Sequence, residues 1–150
     1  MKTKSIQSIK GTQDILPSEV HFWQEMERKI FEEMALFGFS EIRTPAFENT
    51  DLFSRSVGEQ TDIVSKEMYT FEDRSGGSLT LKPEATASVV RAFIQHNLDK
   101  INTITRLFYI DALFRRERPQ KGRYRQFHQF GAELFGSEHP EADVEIISLA

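Results

Sequence analysis

Apolar residues recur along this chain with two distinct periods. Between residues 17 and 37, Trp23, Met26, Ile30, Met34 and Phe37 follow one another at steps of three and four. That spacing lays side chains along one face of an α-helix. Pro17 suits the first helical position, where its missing N–H costs nothing. Glu19 complements the positive end of the helix dipole, and Gly38 is a natural stop. The stripe predicts a face buried in the core or in a subunit interface.

The rest of the chain alternates short strands with helices. Residues 41–45 (EIRTP) predict a short strand edged by its proline. Residues 51–57 predict a short helix closed by Gly58. Residues 68–71 and 79–82 predict a hairpin, joined by EDRSGGS, in which Gly76-Gly77 supplies positive φ. A second long helix is expected over 83–96, with Val89, Val90, Phe93 and Ile94 as its apolar face. The strongest β signal is a long hairpin: residues 104–116 (ITRLFYIDALFRR) and 125–135 (RQFHQFGAELF) flank the polar loop ERPQKGRY. Pro140 opens a last helical pattern with Val144, Ile147 and Ile146 facing inward. No cap, glycine or basic turn follows EIISLA, so the chain is expected to stop inside a larger architecture.

Composition narrows the function classes. A chain of 150 residues with 39% hydrophobic residues suits one domain that buries about 70% of its unfolded surface. The absence of cysteine excludes disulfide scaffolds and cysteine-ligated metals. No apolar run approaches the roughly 20 residues of a membrane span, and MKTKSIQSIK lacks the apolar core of a signal peptide. A cytoplasmic protein is expected.

Charge changes the picture more. The formal net charge is −4, yet between Lys100 and Arg125 eight basic side chains face only Asp111 and Glu117. That stretch carries +6 and the remainder −10. One concentrated cationic segment in an acidic protein points to a specific bound anion rather than to general nucleic-acid coating.

Common phosphate motifs are missing: there is no G-x-G-x-x-G and no P-loop. His21, His96, His128 and His139 are scattered without metal-ligand spacing, and no metal site is expected. The long hairpin carries the candidate chemistry. Alternate strand residues share a face, so Phe127, Gln129, Gly131, Glu133 and Phe135 lie together. Two polar groups flanking a bare glycine suit a small polar ligand: Gly131 would let it approach the backbone, and Glu133 would accept from N–H donors. Tyr109, Asp111, Leu113 and Arg115 share a face of the partner strand. If odd positions pair with odd, both sets meet, and the Arg115 fork can hold a carboxylate or phosphate. The plainer alternative is a solvated sheet face with surface arginines. Glu84 and Thr86, in LTLKPEATA, sit where helices favour caps.

These segments together resemble the histidyl-tRNA synthetases, which are class II aminoacyl-tRNA synthetases. KGTQDILPSE begins the resemblance. GFSEIRTPAFENTDLFSRSVGEQTDIVSKEMYTFED resembles motif 1, LTLKPEATA the amino-acid-binding segment, and LFYIDALFRRERPQKGRYRQFHQFGAELFG motif 2. The resemblance implies an α+β fold, an antiparallel sheet flanked by helices with the site on the sheet face. It implies ATP, histidine and Mg2+ as participants, histidyl-adenylate as intermediate, tRNA(His) as acceptor, and a homodimer. Arg115 resembles the motif 2 arginine that touches the α-phosphate and the substrate carboxylate. Glu117 and Phe127 resemble residues that place and stack adenine, and Arg123 a contact to the outer phosphates. Glu84 and Thr86 correspond to residues holding the α-amino end, and Gln129 and Glu133 to the histidine pocket.

Lys82 and Ala85 stand where the family often has Arg and Gly. The family's motif 3, its histidine-specific segment and its anticodon-binding domain lie past residue 150. The chain alone is therefore expected to be a partial catalytic domain that activates histidine feebly or not at all. A different class remains open: a noncatalytic, synthetase-like regulatory subunit that binds histidine in histidine biosynthesis. A third reading is a piece that serves only in dimerisation.

Overall fold

The structure is a computed structural model and describes residues 5–57, 67–118 and 120–149. Among the described residues the α-helices are α1 (Val20–Leu36), α2 (Thr50–Val57), α3 (Thr86–Gln95) and α4 (Glu141–Leu149), with one 3-10 turn at Leu98–Lys100. The strands among them are β1 (Ser40–Glu41), β2 (Phe47–Asn49), β3 (Tyr69–Glu72), β4 (Ser78–Leu81), β5 (Thr105–Phe114) and β6 (Gln126–Phe135). They form two three-stranded sheets, ordered β1-β5-β6 and β2-β4-β3. The α+β architecture agrees with expectation. One local difference is β1, which runs parallel to β5 in an otherwise antiparallel arrangement.

The β5–β6 hairpin is the spine. Its register pairs Thr105 with Phe135, Tyr109 with Gly131, Asp111 with Gln129 and Phe114 with Gln126. Odd positions therefore meet odd positions, and each face of the hairpin gathers one parity. The even face is covered by α1 and α4. Met34, Phe39 and Phe108 are buried there, with Ile30, Phe37, Ile110, Ala132, Ile146 and Leu149 packed around them. The Phe31 ring meets Phe108 edge-on at 5.2 Å, and Trp23 meets His128 at 4.8 Å. On the odd face, Ala85 and Val89 bury against Leu107, Tyr109 and Leu113. The ring of Phe93 on α3 stacks on Phe135 at 4.2 Å.

Three helix faces differ from the sequence expectation, each for a packing reason. In α1, Met26 is exposed, because a straight 3.6-residue helix carries its buried line through Trp23, Ile30 and Met34 and leaves Met26 beside it; Phe31, at the rim, is also exposed yet lays its ring edge-on against Phe108. In α3 the buried residues are Ala87, Ser88, Val89 and Ala92, and Ile94 is 67% exposed. Small side chains let that helix approach the sheet closely. In α4, Val144 and Ile147 are 61% and 73% exposed, and Ile146 and Leu149 make the contact. The docking of that helix is fixed by Arg106 of β5, whose Nε and Nη2 donate to the Glu145 carboxylate at 2.6 and 2.9 Å.

Boundaries move less. Pro17 and Glu19 precede α1, in a turn where the Glu19 and Val20 amides donate to the Leu16 carbonyl. The expected strand over 41–45 contracts to β1, and the 83–96 helix begins only at Thr86. Gly76 takes φ +83° in the β3–β4 turn, whereas Gly77 stays outside the positive-φ region. Gly58 and residues 59–66, including part of the motif 1 resemblance, lie outside the described residues.

Phe108→Ala empties the centre of the even-face core. It is expected to lower unfolding free energy by about 3–5 kcal/mol, whereas Ile147→Ala should stay within roughly 0.5 kcal/mol. Urea unfolding of the two variants side by side checks the assignment, and equal losses would refute it.

Candidate active site

Strand β4 leaves the small sheet at Leu81 and delivers Lys82, Pro83 and Glu84 onto the odd face of the large one. Lys82 is completely buried. Its ammonium reaches the Asp111 carboxylate on β5 and donates to the Thr44 hydroxyl and carbonyl at 3.1 and 3.2 Å. Its main chain is held as well: the Lys82 N–H donates to the Ala46 carbonyl, and the Phe114 N–H donates to the Lys82 carbonyl, both at 3.0 Å.

Arg115 lies just past the end of β5. Its amide donates to the Arg125 carbonyl at 3.0 Å, which continues the hairpin pairing. Its Nε donates to the Pro83 carbonyl at 2.9 Å, and the guanidinium carbon stands 5.1 Å from the centre of the Phe127 ring. That cation–π geometry joins the expected phosphate contact to the expected adenine platform.

Thr86 and Glu133 are also joined, by a 2.7 Å bond in which the Thr86 hydroxyl donates to Glu133 Oε1. Glu84 takes the capping role: its carboxylate accepts the Ala87 N–H at 3.0 Å, satisfying one of the unpaired donors of α3. Gln129 is exposed opposite Asp111. The loop tip forms separately. Gln120 and Arg123 bridge around Gly122 at φ +81°, and Arg123 Nη1 donates to Glu117 Oε2 at 3.1 Å. Arg125 Nε donates to the Glu117 carbonyl at 3.4 Å, and the Arg125 amide donates to the Gly11 carbonyl at 2.6 Å. Pro119, within this loop, lies outside the described residues.

One expectation is overturned. Gly131 does not offer its backbone to a ligand. A Cβ built on it would fall 2.3 Å from the Tyr109 hydroxyl oxygen and 2.5 Å from its Cζ, so the Tyr109 ring already covers it. The bare glycine makes room for a cross-strand tyrosine. Tyr109 is thus a site-lining residue whose role the strand pattern alone did not reveal; an odd-with-odd pairing puts it on the same face as Gly131, and only the observed register sets the two opposite each other.

Electrostatics tie this corner together. Burial lifts the Glu133 carboxyl above its ordinary value; the Thr86 hydrogen bond opposes the shift and the Glu84 charge adds to it. Burial likewise pushes the Tyr109 phenol up, aided by the Glu133 charge and opposed by Thr86. A half-buried carboxylate near a second acid is poised for a ligand carrying N–H donors.

The raised Glu133 value makes stability depend on pH. Below the ordinary glutamate pKa both states hold the proton and Glu133 contributes fully. As pH rises through its raised folded value, the unfolded chain releases the proton first and that contribution is lost. Glu133→Gln is expected to flatten this decline, so the variant should gain on the parent between acidic and neutral pH. Denaturation midpoints at several pH values read the slope; an unchanged slope contradicts the assignment.

A family model described as Histidyl-tRNA synthetase matches residues 11–150. A protein of Syntrophotalea carbinolica named histidine–tRNA ligase is 55% identical over 145 residues, covering 97% of this chain and 35% of that protein. A protein of Solibacter usitatus with the same name is 57% identical over 144 residues, covering 96% and 35%. This chain thus spans 35% of the length of these curated relatives. Apo S. aureus histidyl-tRNA synthetase has a similar structure, with TM-score 0.81 and 40% identity over 97% of this chain and 33% of that one. An ATP phosphoribosyltransferase regulatory subunit/histidyl-tRNA synthetase from Bacillus halodurans matches with TM-score 0.81 and 28% identity, covering 99% and 37%. With a family match over nearly its whole length and relatives above half identity, this chain belongs to the histidyl-tRNA synthetase family.

Proposed function

We propose that these residues form the front portion of a class II catalytic domain that activates histidine with ATP and passes it to tRNA(His). The observation that carries the reading is the setting of Arg115. Its Nε is anchored on Pro83 and its guanidinium carbon lies over the Phe127 ring, on the same sheet face as the Thr86–Glu133 pair.

In this reading the histidine carboxylate attacks the α-phosphorus of ATP. A carboxyl oxygen–phosphorus bond forms, the bond to the β-phosphate breaks, and pyrophosphate leaves. The terminal ribose hydroxyl of the tRNA then attacks the activated carbonyl and AMP departs. Arg115 brings carboxylate and phosphate together and offsets charge gathering on the phosphoryl oxygens, a contribution of position and electrostatics. Phe127 stacks the adenine and Glu117 fixes its edge. Arg123, released from Glu117, turns to the outer phosphates.

Glu133, oriented by Thr86, accepts from the imidazole N–H, and Gln129 completes the pocket. Selection follows because an apolar amino acid would leave these polar groups unpaired. Glu84 holds the α-amino group while its carboxylate caps α3. Among the described residues no group of three or more His, Asp or Glu gathers as a metal nest, and in this reading Mg2+ travels on the ATP phosphates. A homodimer in the cytoplasm fits the same reading. Among the described residues no helix is long and apolar enough to cross a membrane. The regulatory-subunit alternative is less well supported. The relatives at 55% and 57% identity are named as ligases, while the regulatory subunit/histidyl-tRNA synthetase of Bacillus halodurans is 28% identical.

In a protein of the relatives' full length carrying these residues, Arg115→Ala is expected to cut histidine-dependent ATP–pyrophosphate exchange by about 10²–10³-fold, the loss typical of a donor aimed at developing oxyanion charge. Radiolabelled pyrophosphate exchange measures it, and retention of the parental rate would remove Arg115 from the mechanism.

A further inference from the structure

We propose that Lys82 is a positioning residue that sets the orientation of Arg115; the catalytic consequence rests on the function proposed above. An ammonium has three N–H donors and no acceptor. Lys82 directs its donors at the Asp111 carboxylate, the Thr44 hydroxyl and the Thr44 carbonyl. These oxygens come from β5 and from the segment after β1, so one buried group ties two separate parts of the fold. The Lys82 amide and carbonyl are engaged with Ala46 and Phe114. The next residue, Pro83, is buried and has a ring-locked φ. The Pro83 carbonyl carbon is thereby placed relative to Lys82, and its oxygen is the acceptor for Arg115 Nε.

This has a chemical consequence. A guanidinium can grip an oxyanion through its two Nη groups or through Nε and one Nη. With Nε committed to Pro83, the side-on fork is occupied. Arg115 is left to present its Nη pair, above the Phe127 ring. Lys82 thus selects the mode in which the arginine meets its anion, without touching the anion itself. The arrangement also accounts for a fully buried lysine beside a site: its charge is matched by Asp111, and the direction of all its bonds is the useful product.

Two measurements separate positioning from mere stability. In this chain, ¹⁵N-arginine labelling reads solvent exchange of the Arg115 Nε–H. It should exchange at least about tenfold faster in Lys82→Met and stay protected in Lys82→Arg. In the full-length protein, Lys82→Met should lower kcat for histidine-dependent pyrophosphate exchange by about 10–100-fold, more than it alters KM, because small misplacements of a catalytic group are costly. The double variant Lys82→Met/Asp111→Leu replaces the buried ion pair with apolar groups and should recover thermal stability without recovering kcat.

Return of kcat together with stability in the double variant overturns the proposal, as does an Arg115 Nε–H whose protection ignores Lys82. If the unsubstituted full-length protein shows no exchange at all, the proposed activity fails. The labelling arm then decides the Lys82–Arg115 coupling by itself: faster exchange in Lys82→Met supports it and unchanged exchange overturns it.

Discussion

The pairing of β5 with β6 is the constraint on which the rest depends. Because side chains alternate across a strand, its register decides at once what lies on both faces. Leu107, Tyr109, Leu113 and Phe127 meet Ala85 and Val89 on one side, while Phe108, Ile110 and Ala132 meet α1 and α4 on the other. A slip of one residue would exchange Phe127 and Glu133 for His128 and Leu134 on the site face. It would also turn Ala132 out of the even-face core. The apolar residues of both faces oppose the slip together, so the same packing that stabilises the hairpin holds the polar site residues in place.

Glycine and tyrosine show how closely packing and chemistry are joined here. Gly131 leaves the space that the Tyr109 ring fills. The Tyr109 phenol interacts with Thr86 and Glu133, and partial burial lifts the Glu133 carboxyl. A backbone feature that resembles an opening for ligand instead seats a cross-strand tyrosine.

The cationic stretch resolves into separate tasks. Arg106 points to the even face and clamps α4 through Glu145. Arg123 folds onto Glu117 and Arg125 onto its carbonyl, shaping the loop tip. An exposed pair such as Arg123–Glu117 is worth only about 0.2–1 kcal/mol, so it is easily exchanged for contact with an anion. Arg116, Arg118 and Lys121 are exposed. Arg115 alone is braced by a buried carbonyl and an aromatic face. Net charge located the segment, but individual bonds distinguish its members.

The sequence by itself determined the α-helices α1 to α4, the two hairpins, which residues of each long strand share a face, and the family. Each is written in local period, turn chemistry or a long continuous motif. The register that brings the two odd sets together came only with the structure. The sequence could not determine which side of α3 or α4 turns inward. Val144 and Ile147 are as apolar as Ile146, and only the position of the sheet and the Arg106–Glu145 clamp selects among them. Nor could it show that Gly131 serves Tyr109, or that Lys82 spans to Asp111 and Thr44. Those contacts join residues far apart in the chain. Local pattern records what each segment prefers, whereas the partner of a buried charge or a bare glycine exists only once distant segments have packed.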